Sequence, residues 1–308
     1  MGTPEFAVAS LDILIQNKYD VVGVVTVPDK PAGRGQQIQQ SAVKKYALEK
    51  GLRILQPEKL KDEAFINELK ELKADLQIVV AFRMLPEVVW NMPPLGTYNL
   101  HGSLLPKYRG AAPINWAIIN GETESGVTSF KLKHDIDTGN TLFQEKVKIS
   151  KTTTAGELHD TLMKVGAEVI LKTVKAIESG NYQLKPQDDT QSIHAPKLFK
   201  ETCKIEWNNN CEKIYNLIRG LSPYPAAFAE FIDKNNQTVG IKIFTSEMEE
   251  VNHTNVYGTV VSDGKTFFKV ACTNGFVHIK ELQMAGKKRI LVEEFLRGFK
   301  MNSEFRFL

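Results

Sequence analysis

Short apolar runs alternate with amphipathic stretches through the first 180 residues of this 308-residue chain. The runs at 21–26 and 76–81 are rich in β-branched residues, which is typical of strands buried on both faces. This alternation predicts an α/β, Rossmann-like domain with a mostly parallel sheet, in which ligands bind beyond the carboxyl ends of the strands. The predicted helices are 6–17, 40–50, 62–72, 85–90, 113–120 and 154–179, and the predicted strands are 21–26, 53–55, 76–81 and 97–101.

The pattern changes to closely spaced short strands from about residue 203 onward. Gly and Asn residues mark turns at 235–236, 263–264 and 274–275. Several short strands with such turns predict a small, OB-like β-barrel. The segment between the two patterns is polar and irregular, so we predict domains at 1–180 and 203–308 joined by a linker at 181–202. The predicted strands of the second domain are 227–232, 239–244, 257–261, 267–272 and 276–282.

Composition excludes several classes of protein. Hydrophobic residues make up 42% of the chain and charged residues 24%, which is ordinary globular usage and excludes a wholly disordered chain. The formal net charge of +3 is too small to indicate a nucleic-acid partner by itself. The three cysteines, Cys203, Cys211 and Cys272, have no CxxC spacing, which fits buried or idle thiols in a reducing compartment. We expect no signal peptide, no membrane span and no metal site.

Asn99 and His101 lie two residues apart at the end of the predicted strand 97–101, so both side chains point to one face. An amide and an imidazolium aimed at one point are suitable hydrogen-bond donors to a developing oxyanion. The loop that follows, 102–110, has a backbone that could hydrogen-bond a heterocycle. The alternative is that Asn99 and His101 only hydrogen-bond the loop backbone, since the pair alone is not a specific motif.

A second candidate is the stretch HDIDTG at 134–139. Asp135 and Asp137 are also two residues apart, directly before a Gly turn. A carboxylate here could fix the protonation of His101 and accept a proton from an attacking amine. The alternative is a carboxylate that only shapes the turn, as is common for Asp beside Thr-Gly. We assign Asp135 to the turn and Asp137 to the chemistry.

Two basic stretches are candidates for binding a phosphate backbone. The loop PDKPAGRG at 28–35 lacks the GxxxxGK[ST] and GxGxxG patterns, so a nucleotide-binding loop is not indicated. Around it, Lys30, Arg34, Lys44 and Lys45 are opposed by Asp29 alone, which suits contact with phosphates. The second stretch is the local patch Lys287, Lys288 and Arg289. The alternative for both is an ordinary solvated surface.

Taken together, these segments resemble the methionyl-tRNA formyltransferase family along essentially the whole chain. The combination of Asn-x-His, Ser-Leu-Leu-Pro and Asp-Thr-Gly is specific to formyltransferases that use 10-formyltetrahydrofolate. The PAGRG loop and the second domain narrow the resemblance to the tRNA enzymes. The motifs that carry it are GTPEF at 2–6, PDKPAGRG at 28–35, NLHGSLLP at 99–106, YRGAAP at 108–113, ESGVT at 124–128, DTG at 137–139 and PYP at 223–225.

The resemblance implies transfer of a formyl group from 10-formyltetrahydrofolate, as co-substrate, to the α-amine of methionine on initiator tRNA. Asn99 and protonated His101 would stabilise the tetrahedral oxyanion. Asp137 would support His101 and relay the amine proton through water. The residues that would line the folate pocket are Ser103, Leu104, Leu105 and Pro106.

The resemblance also implies where tRNA binds. The loop around Arg34, with Lys44 nearby, would meet the acceptor arm, and the patch Lys287, Lys288 and Arg289 would add a basic surface on the second domain. A cytoplasmic monomer is expected. Similar proteins carry an apolar strand ahead of GTPEF, whereas this sequence begins at Met1-Gly2, so we expect a central strand of the sheet to be missing from it. The loop 82–86 is one residue shorter than is usual beside the folate pocket.

Two rival functions stay open at the level of the sequence. One is a formyltransferase with the same catalytic domain that acts on glycinamide ribonucleotide or on a sugar-nucleotide amine. The glycinamide enzyme would normally lack both the second domain and the PAGRG loop. The other rival is a non-catalytic RNA-binding protein on the same scaffold. The intact set of Asn99, His101 and Asp137 argues against it.

Overall fold

The computed structural model describes residues 1–32, 37–232, 237–299 and 306–308, which form two compact units. The first unit comprises Met1–Gly110, Ser125–Lys148 and His159–Ala195. The second comprises Ala111–Glu124, Ile149–Leu158 and Pro196–Leu308. Two segments that the predicted division assigns to the first domain, 111–124 and 149–158, are therefore part of the second unit.

The helices of the first half begin and end close to their predicted positions because the helix signals are local. Ser41 accepts a hydrogen bond from Lys44 N and begins one helix, and Asp62 does the same for Phe65 N at another. The elements in chain order are α1 (Glu5–Gln16), β1 (Val24–Val25), β2 (Lys30–Ala32), β3 (Gln37–Gln39), α2 (Ala42–Glu49), β4 (Ile54–Leu55), α3 (Glu63–Glu71), β5 (Gln77–Val80), α4 (Glu87–Trp90), β6 (Thr97–His101), β7 (Arg109–Gly110), α5 (Pro113–Ile119), β8 (Glu124–Lys131), β9 (Thr141–Lys148), α6 (Ala155–Ser179) and β10 (His194–Ala195).

The main sheet of the first unit has the strand order β5-β6-β8-β9. Strands β5 and β6 are parallel, as predicted, and β1 pairs with β4 in a second parallel pair. Strand β8 instead pairs with β6 in the antiparallel sense, with His101 opposite Thr128. The sequence does not predict the β8–β9 part of the sheet, because ESGVTSFK at β8 is neither a continuous apolar run nor an alternation of apolar and polar residues. The Rossmann-like α/β prediction is confirmed, with this antiparallel addition.

Met1 and Gly2 connect the two parallel pairs of strands. Gly2 N donates to Val25 O at 3.0 Å, and Val80 N donates to Met1 O at 2.9 Å. The Met1 amine donates to Ile78 O at 2.7 Å, and its burial lowers its pKa to about 5. A largely apolar cavity of about 520 Å³ lies beside this connection, lined by residues of α1, β1 and β5. It includes none of the candidate site residues.

A packed core of apolar side chains stabilises the first unit. Apolar side chains of α3 and α4 pack against β1 and β5, which buries the faces that the sequence pattern marked as apolar. The members of this cluster are Val25, Leu55, Leu60, Phe65, Leu69, Val79, Leu85 and Val89.

The second unit contains a curled antiparallel sheet with the order β11-β12-β15-β14-β13, and β16 on β15. The OB-like prediction is consistent with this sheet. Helix α7, which was not predicted, packs against it through Ile214, Ile218 and Leu221. The elements are α7 (Cys211–Leu221), β11 (Ala227–Ile232), β12 (Thr238–Glu250), β13 (Val260–Ser262), β14 (Phe268–Cys272), β15 (Gly275–Met284), β16 (Ile290–Leu291) and α8 (Val292–Gly298).

Candidate functional site

The candidate site begins at the carboxyl end of β6, where Asn99 and His101 occupy alternate positions. Asn99 is half-buried, and its amide has no hydrogen-bond partner in the part of the chain that the structure describes. His101 is buried, with 7% of its surface exposed. Strand β6 presents both residues because it is central in the sheet, paired with β5 on one side and β8 on the other. The Asn99 amide is therefore an available donor at the place where an α/β sheet binds ligands.

The two ring nitrogens of His101 face different partners. Nε2 lies 2.8 Å from the carbonyl oxygen of Tyr108, which is a hydrogen bond to the loop backbone. Nδ1 lies 3.7 Å from Oδ2 of Asp137, too long for a hydrogen bond but within ion-pair range if the ring is protonated. The alternative that His101 hydrogen-bonds the loop backbone is thus correct for Nε2. Nδ1 is the nitrogen left to donate to a ligand.

Asp137 lies in a turn that directs its carboxylate inward. Its φ of +55° is in the left-handed region, which Asp tolerates better than most residues. The carboxylate Oδ2 accepts a hydrogen bond from Gly110 N at 2.9 Å, and the residue is only 9% exposed. The side chain of Asp135 is instead 74% exposed, beside His134. Of the two carboxylates, Asp137 is the one beside His101.

Gly110 allows the close packing that delivers its N–H to Asp137. Its φ of +122° is a conformation that residues with a side chain rarely adopt, and an added Cβ would meet Ala195 O. Gly110 pairs with Ala195 in the short parallel ladder of β7 and β10. Residues 194–195 of the predicted linker therefore pair with the strand whose Gly110 N–H binds Asp137.

Gln187 and Arg109 support the Asp137 turn, a role that is not predicted for either side chain. The carboxamide of Gln187 donates to Asp137 O at 2.8 Å and to Gly139 O at 2.7 Å. Its Oε1 accepts from Arg109 Nε at 3.0 Å and from Arg109 Nη2 at 2.7 Å. Arg109 is only 8% exposed and also pairs with Asp189 at 2.6 Å. These contacts join residues that are far apart in the chain, so no local sequence pattern indicates them.

The loop of the predicted folate residues has a fixed backbone. Thr128 Oγ1 donates to Ser103 O at 2.7 Å and accepts from Leu105 N at 3.1 Å. Gln144 Nε2 donates to Leu105 O at 2.7 Å. Ser103 is fully buried, and its hydroxyl donates to Lys107 O, so its side chain shapes the loop. Leu104 and Pro106 are partly exposed and remain available to line a pocket.

The first group of predicted tRNA-binding residues is only partly described. Arg34 lies outside the residues that the structure describes. Lys44 lies near the start of α2, and its ammonium pairs with Asp29 Oδ2 at 2.6 Å. This bond, with a further one from Gln56, lowers the pKa of Asp29 below its ordinary value. Lys44 is therefore already engaged with a carboxylate.

The second group lies between β15 and β16 in the second unit. Arg289 is held by both oxygens of Glu281 at 2.5 Å and stacks over the Phe244 ring at 4.2 Å. The guanidinium lowers the pKa of Glu281. Lys287 and Lys288 are exposed, and neither ammonium has an ion-pair partner in the described ranges. Within the described ranges, Arg289 is paired with a carboxylate, whereas the two lysines are the cations of this patch that remain available to a phosphate.

Neither a metal-binding group nor a membrane-spanning helix is found in the described ranges. Among the described residues, no group of three or more His, Cys, Asp and Glu side chains is placed to hold a metal ion. No described helix combines the length and apolar character that crossing a membrane requires. The cysteines Cys203, Cys211 and Cys272 are all buried and unpaired by disulfides, as predicted.

Comparison with protein-family models gives two matches. Residues 1–174 match the family described as formyl transferase, and residues 197–300 match the formyl transferase C-terminal domain. The first match covers more than half of the chain.

Curated relatives resemble the chain over almost its full length. Methionyl-tRNA formyltransferase from Bacteroides fragilis is 55% identical over 310 residues, which cover 99% of this chain and 96% of the relative. The enzyme of the same name from Bacteroides thetaiotaomicron is 56% identical with the same coverage. That from Flavobacterium johnsoniae is 55% identical over 305 residues, again covering 99% and 96%.

Solved structures with the same fold include two sugar-modifying enzymes. WlaRD, a sugar 3N-formyltransferase with dTDP and 5-N-formyl-THF, has a TM-score of 0.66 and 24% identity, covering 93% of this chain and 97% of its own. An N-formyltransferase from Helicobacter canadensis, with folinic acid and dTDP-3-aminofucose, has a TM-score of 0.65 and 23% identity, covering 94% and 97%. At this identity the likeness establishes the fold alone.

Proposed function

The chain belongs to the methionyl-tRNA formyltransferase family, and we propose that it transfers the formyl group of 10-formyltetrahydrofolate to the α-amine of methionyl initiator tRNA. The observation that carries the proposal is identity of about 55% to methionyl-tRNA formyltransferases along 99% of the chain. The grouping of Asn99, His101 and Asp137 at one strand end supports it. The product would serve translation initiation, and the proposed compartment is the cytoplasm.

The proposed reaction needs no covalent bond to the enzyme. The methionyl amine attacks the formyl carbon and forms a tetrahedral intermediate with a negative oxygen. The bond from that carbon to N10 of the folate then breaks, and the proton lost by the amine ends on N10. Atoms and charge balance, and the products are formyl-methionyl-tRNA and tetrahydrofolate.

The side chains at the end of β6 have defined parts in this proposal. The Asn99 amide and Nδ1–H of a protonated His101 donate to the oxyanion, which exists only after the attack. Asp137 stabilises the imidazolium and relays the amine proton towards N10 through water. The buried carboxylate of Asp137 supports this assignment, because its Oδ2 lies 3.7 Å from Nδ1, within ion-pair range of the ring.

The folate assignment concerns Ser103, Leu104, Leu105 and Pro106. Their loop directly follows His101, so a formyl group near that residue would leave the remainder of the folate against this loop. The hydrogen bonds from Thr128 and Gln144 support the assignment by fixing the loop before a ligand arrives. We assign contact with the folate to Leu104 and Pro106, and shaping of the loop to Ser103 and Leu105.

The assignment of tRNA-binding residues is supported by the positive charge of their side chains and by the family to which the chain belongs. We propose contacts from Arg34, Lys287 and Lys288, whereas Lys44 and Arg289 are weaker candidates because carboxylates already occupy them. We assign residues 1–180 to the catalytic domain, 181–202 to a linker and 203–308 to a tRNA-binding domain. We also propose that the protein acts as a monomer.

A test of acceptor choice separates the proposed function from its rivals. The purified chain is mixed with 10-formyltetrahydrofolate and, in parallel, with charged initiator tRNA, glycinamide ribonucleotide or a dTDP-amino sugar. The proposal expects formyl-methionyl-tRNA and little product from the two small amines. Formylation of an amino sugar in place of the tRNA would contradict it, and tRNA binding without product would indicate the non-catalytic rival.

A further inference from the structure

We propose that Gln187 is a positioning residue for Asp137, which gives the polar stretch after α6 a part in the reaction. This inference rests on the proposed function, because Asp137 is the carboxylate assigned there to proton relay. Gln187 belongs to a segment that the sequence indicated only as a linker. Its carboxamide nevertheless lies against the turn that contains Asp137.

Every bonding position of this carboxamide is used. The two N–H groups donate to the carbonyls of Asp137 and Gly139, at 2.8 and 2.7 Å, on either side of Thr138. The oxygen accepts two hydrogen bonds from Arg109, at 3.0 and 2.7 Å. A side chain with both donors and acceptors is needed at this position, and glutamine supplies two of each.

These contacts fix the direction of the Asp137 side chain. The φ of +55° at Asp137 is intrinsically unfavourable, so contacts from outside the turn must maintain it. Gln187 binds the backbone of this turn, and Arg109 binds Gln187 while the adjacent Gly110 N–H binds the Asp137 carboxylate at 2.9 Å. The contacts therefore form a closed ring through Asp137, Gly110, Arg109 and Gln187. Opening the ring at Gln187 frees the turn without touching the carboxylate.

Burial indicates that this arrangement is specific to Gln187 within its segment. Gln187 is half-buried, whereas its neighbours Pro186, Asp188 and Asp189 are exposed. Gln191 provides a natural comparison, because it is a glutamine in the same segment, is exposed, and only bonds Asp188 at 2.8 Å.

The experiment compares steady-state kinetics of the full chain with those of Gln187→Ala, Gln187→Glu and the control Gln191→Ala. Gln187→Glu can still accept from Arg109 but cannot donate to the two carbonyls. We expect kcat to fall about 10- to 100-fold in both Gln187 variants, since a carboxylate displaced by about 1 Å loses this much. The KM values for folate and for tRNA should change less than about threefold, because binding contacts are untouched. Gln191→Ala should match wild type.

A crystal structure of Gln187→Glu, beside that of the wild type, gives a readout independent of activity. The proposal expects Asp137 Oδ2 to move away from Gly110 N in the variant. Wild-type kcat in Gln187→Glu, or an Asp137 carboxylate that stays in place, would overturn it. If the wild type does not formylate tRNA, the proposed function fails, and the two crystal structures still decide the role of Gln187.

Discussion

The Nδ1 atom of His101 lies 3.7 Å from Oδ2 of Asp137, while Nε2 of the same ring is bound to the carbonyl of Tyr108. The ring is therefore held on one side by the loop backbone and faces a carboxylate on the other. A donor to a developing oxyanion has to come from Nδ1, because Nε2 already has an acceptor at 2.8 Å. Asn99, two residues earlier on β6, supplies the second donor.

Substitution of Asn99 tests the second donor. Asn99→Ala should lower kcat about 10²- to 10³-fold, the usual loss for one oxyanion donor. Asn99→Asp should lose more, because it places a negative charge beside the negative oxygen. The measurement is kcat with both substrates saturating, together with folate affinity for each variant. Equal activity of the Ala and Asp variants would show that no negative charge develops near this position.

The two carboxylates of the Asp-Ile-Asp sequence should behave differently. Asp137→Asn keeps the shape but removes the charge beside His101, so kcat should fall about 10²- to 10⁴-fold, the range of general acid–base catalysis. Asp135→Asn should be mild, because this side chain is 74% exposed and does not contact His101. Steady-state kinetics with thermal unfolding as the folding control would compare them. If Asp135→Asn were the inactive variant, the assignment within this motif would be wrong.

Arg34→Ala tests the basic loop at 28–35. If Arg34 contacts a base of the tRNA, kcat/KM for charged initiator tRNA should fall. The fall should correspond to a loss of about 1–3 kcal/mol of transition-state stabilisation. If it contacts a phosphate, the main effect should be a shallower dependence of tRNA binding on salt. Folate affinity should barely change in either case. Unchanged tRNA kinetics from low to high salt would return Arg34 to the ordinary solvated surface.

The three cysteines should be inert in the folded protein. Burial raises the pKa of all three thiols, that of Cys272 to about 12, and the neighbouring Cys211 adds to the rise there. At pH 8 the thiolate of Cys272 would then be about 10⁻⁴ of the total, and the thiolate is the reactive form. Labelling with iodoacetamide, read by mass spectrometry, should be slow in buffer and complete in urea. Rapid labelling of Cys272 in the native protein would contradict this.

Much of the fold could be predicted because its signals are local. The predicted bounds of β6 and β11 match those of the structure. In the sequence each strand is followed directly by turn-forming residues, Gly102-Ser103 after β6 and DKNN at 233–236 after β11. Helix α7 escapes prediction although Ile214, Ile218 and Leu221 have helical spacing, because closely spaced short strands dominate the sequence pattern from residue 203 onward. The β8–β9 pair gave no comparable signal, since the loop at 132–140 is long and has no hairpin turn sequence.

The candidate site likewise has some residues that the sequence predicts and some contacts that it does not. Asn99, His101 and Asp137 could be selected from short motifs, because their spacing and strand position are visible in the sequence. The hydrogen bond from His101 to Tyr108 O, and the contacts of Gln187 with the Asp137 turn, could not. They depend on a backbone carbonyl and on residues brought together only by the fold.

The most direct test of the account is single-turnover formyl transfer by His101→Ala. Enzyme saturated with 10-formyltetrahydrofolate is mixed with charged initiator tRNA, and formyl-methionyl-tRNA is followed against time, with folate affinity measured separately. We predict that the rate of transfer falls about 10²- to 10³-fold while folate affinity stays near that of the wild type, because the donor acts only on the oxyanion. Transfer at the wild-type rate, or a loss explained wholly by weaker folate binding, would contradict the assignment of the catalytic site to the end of β6.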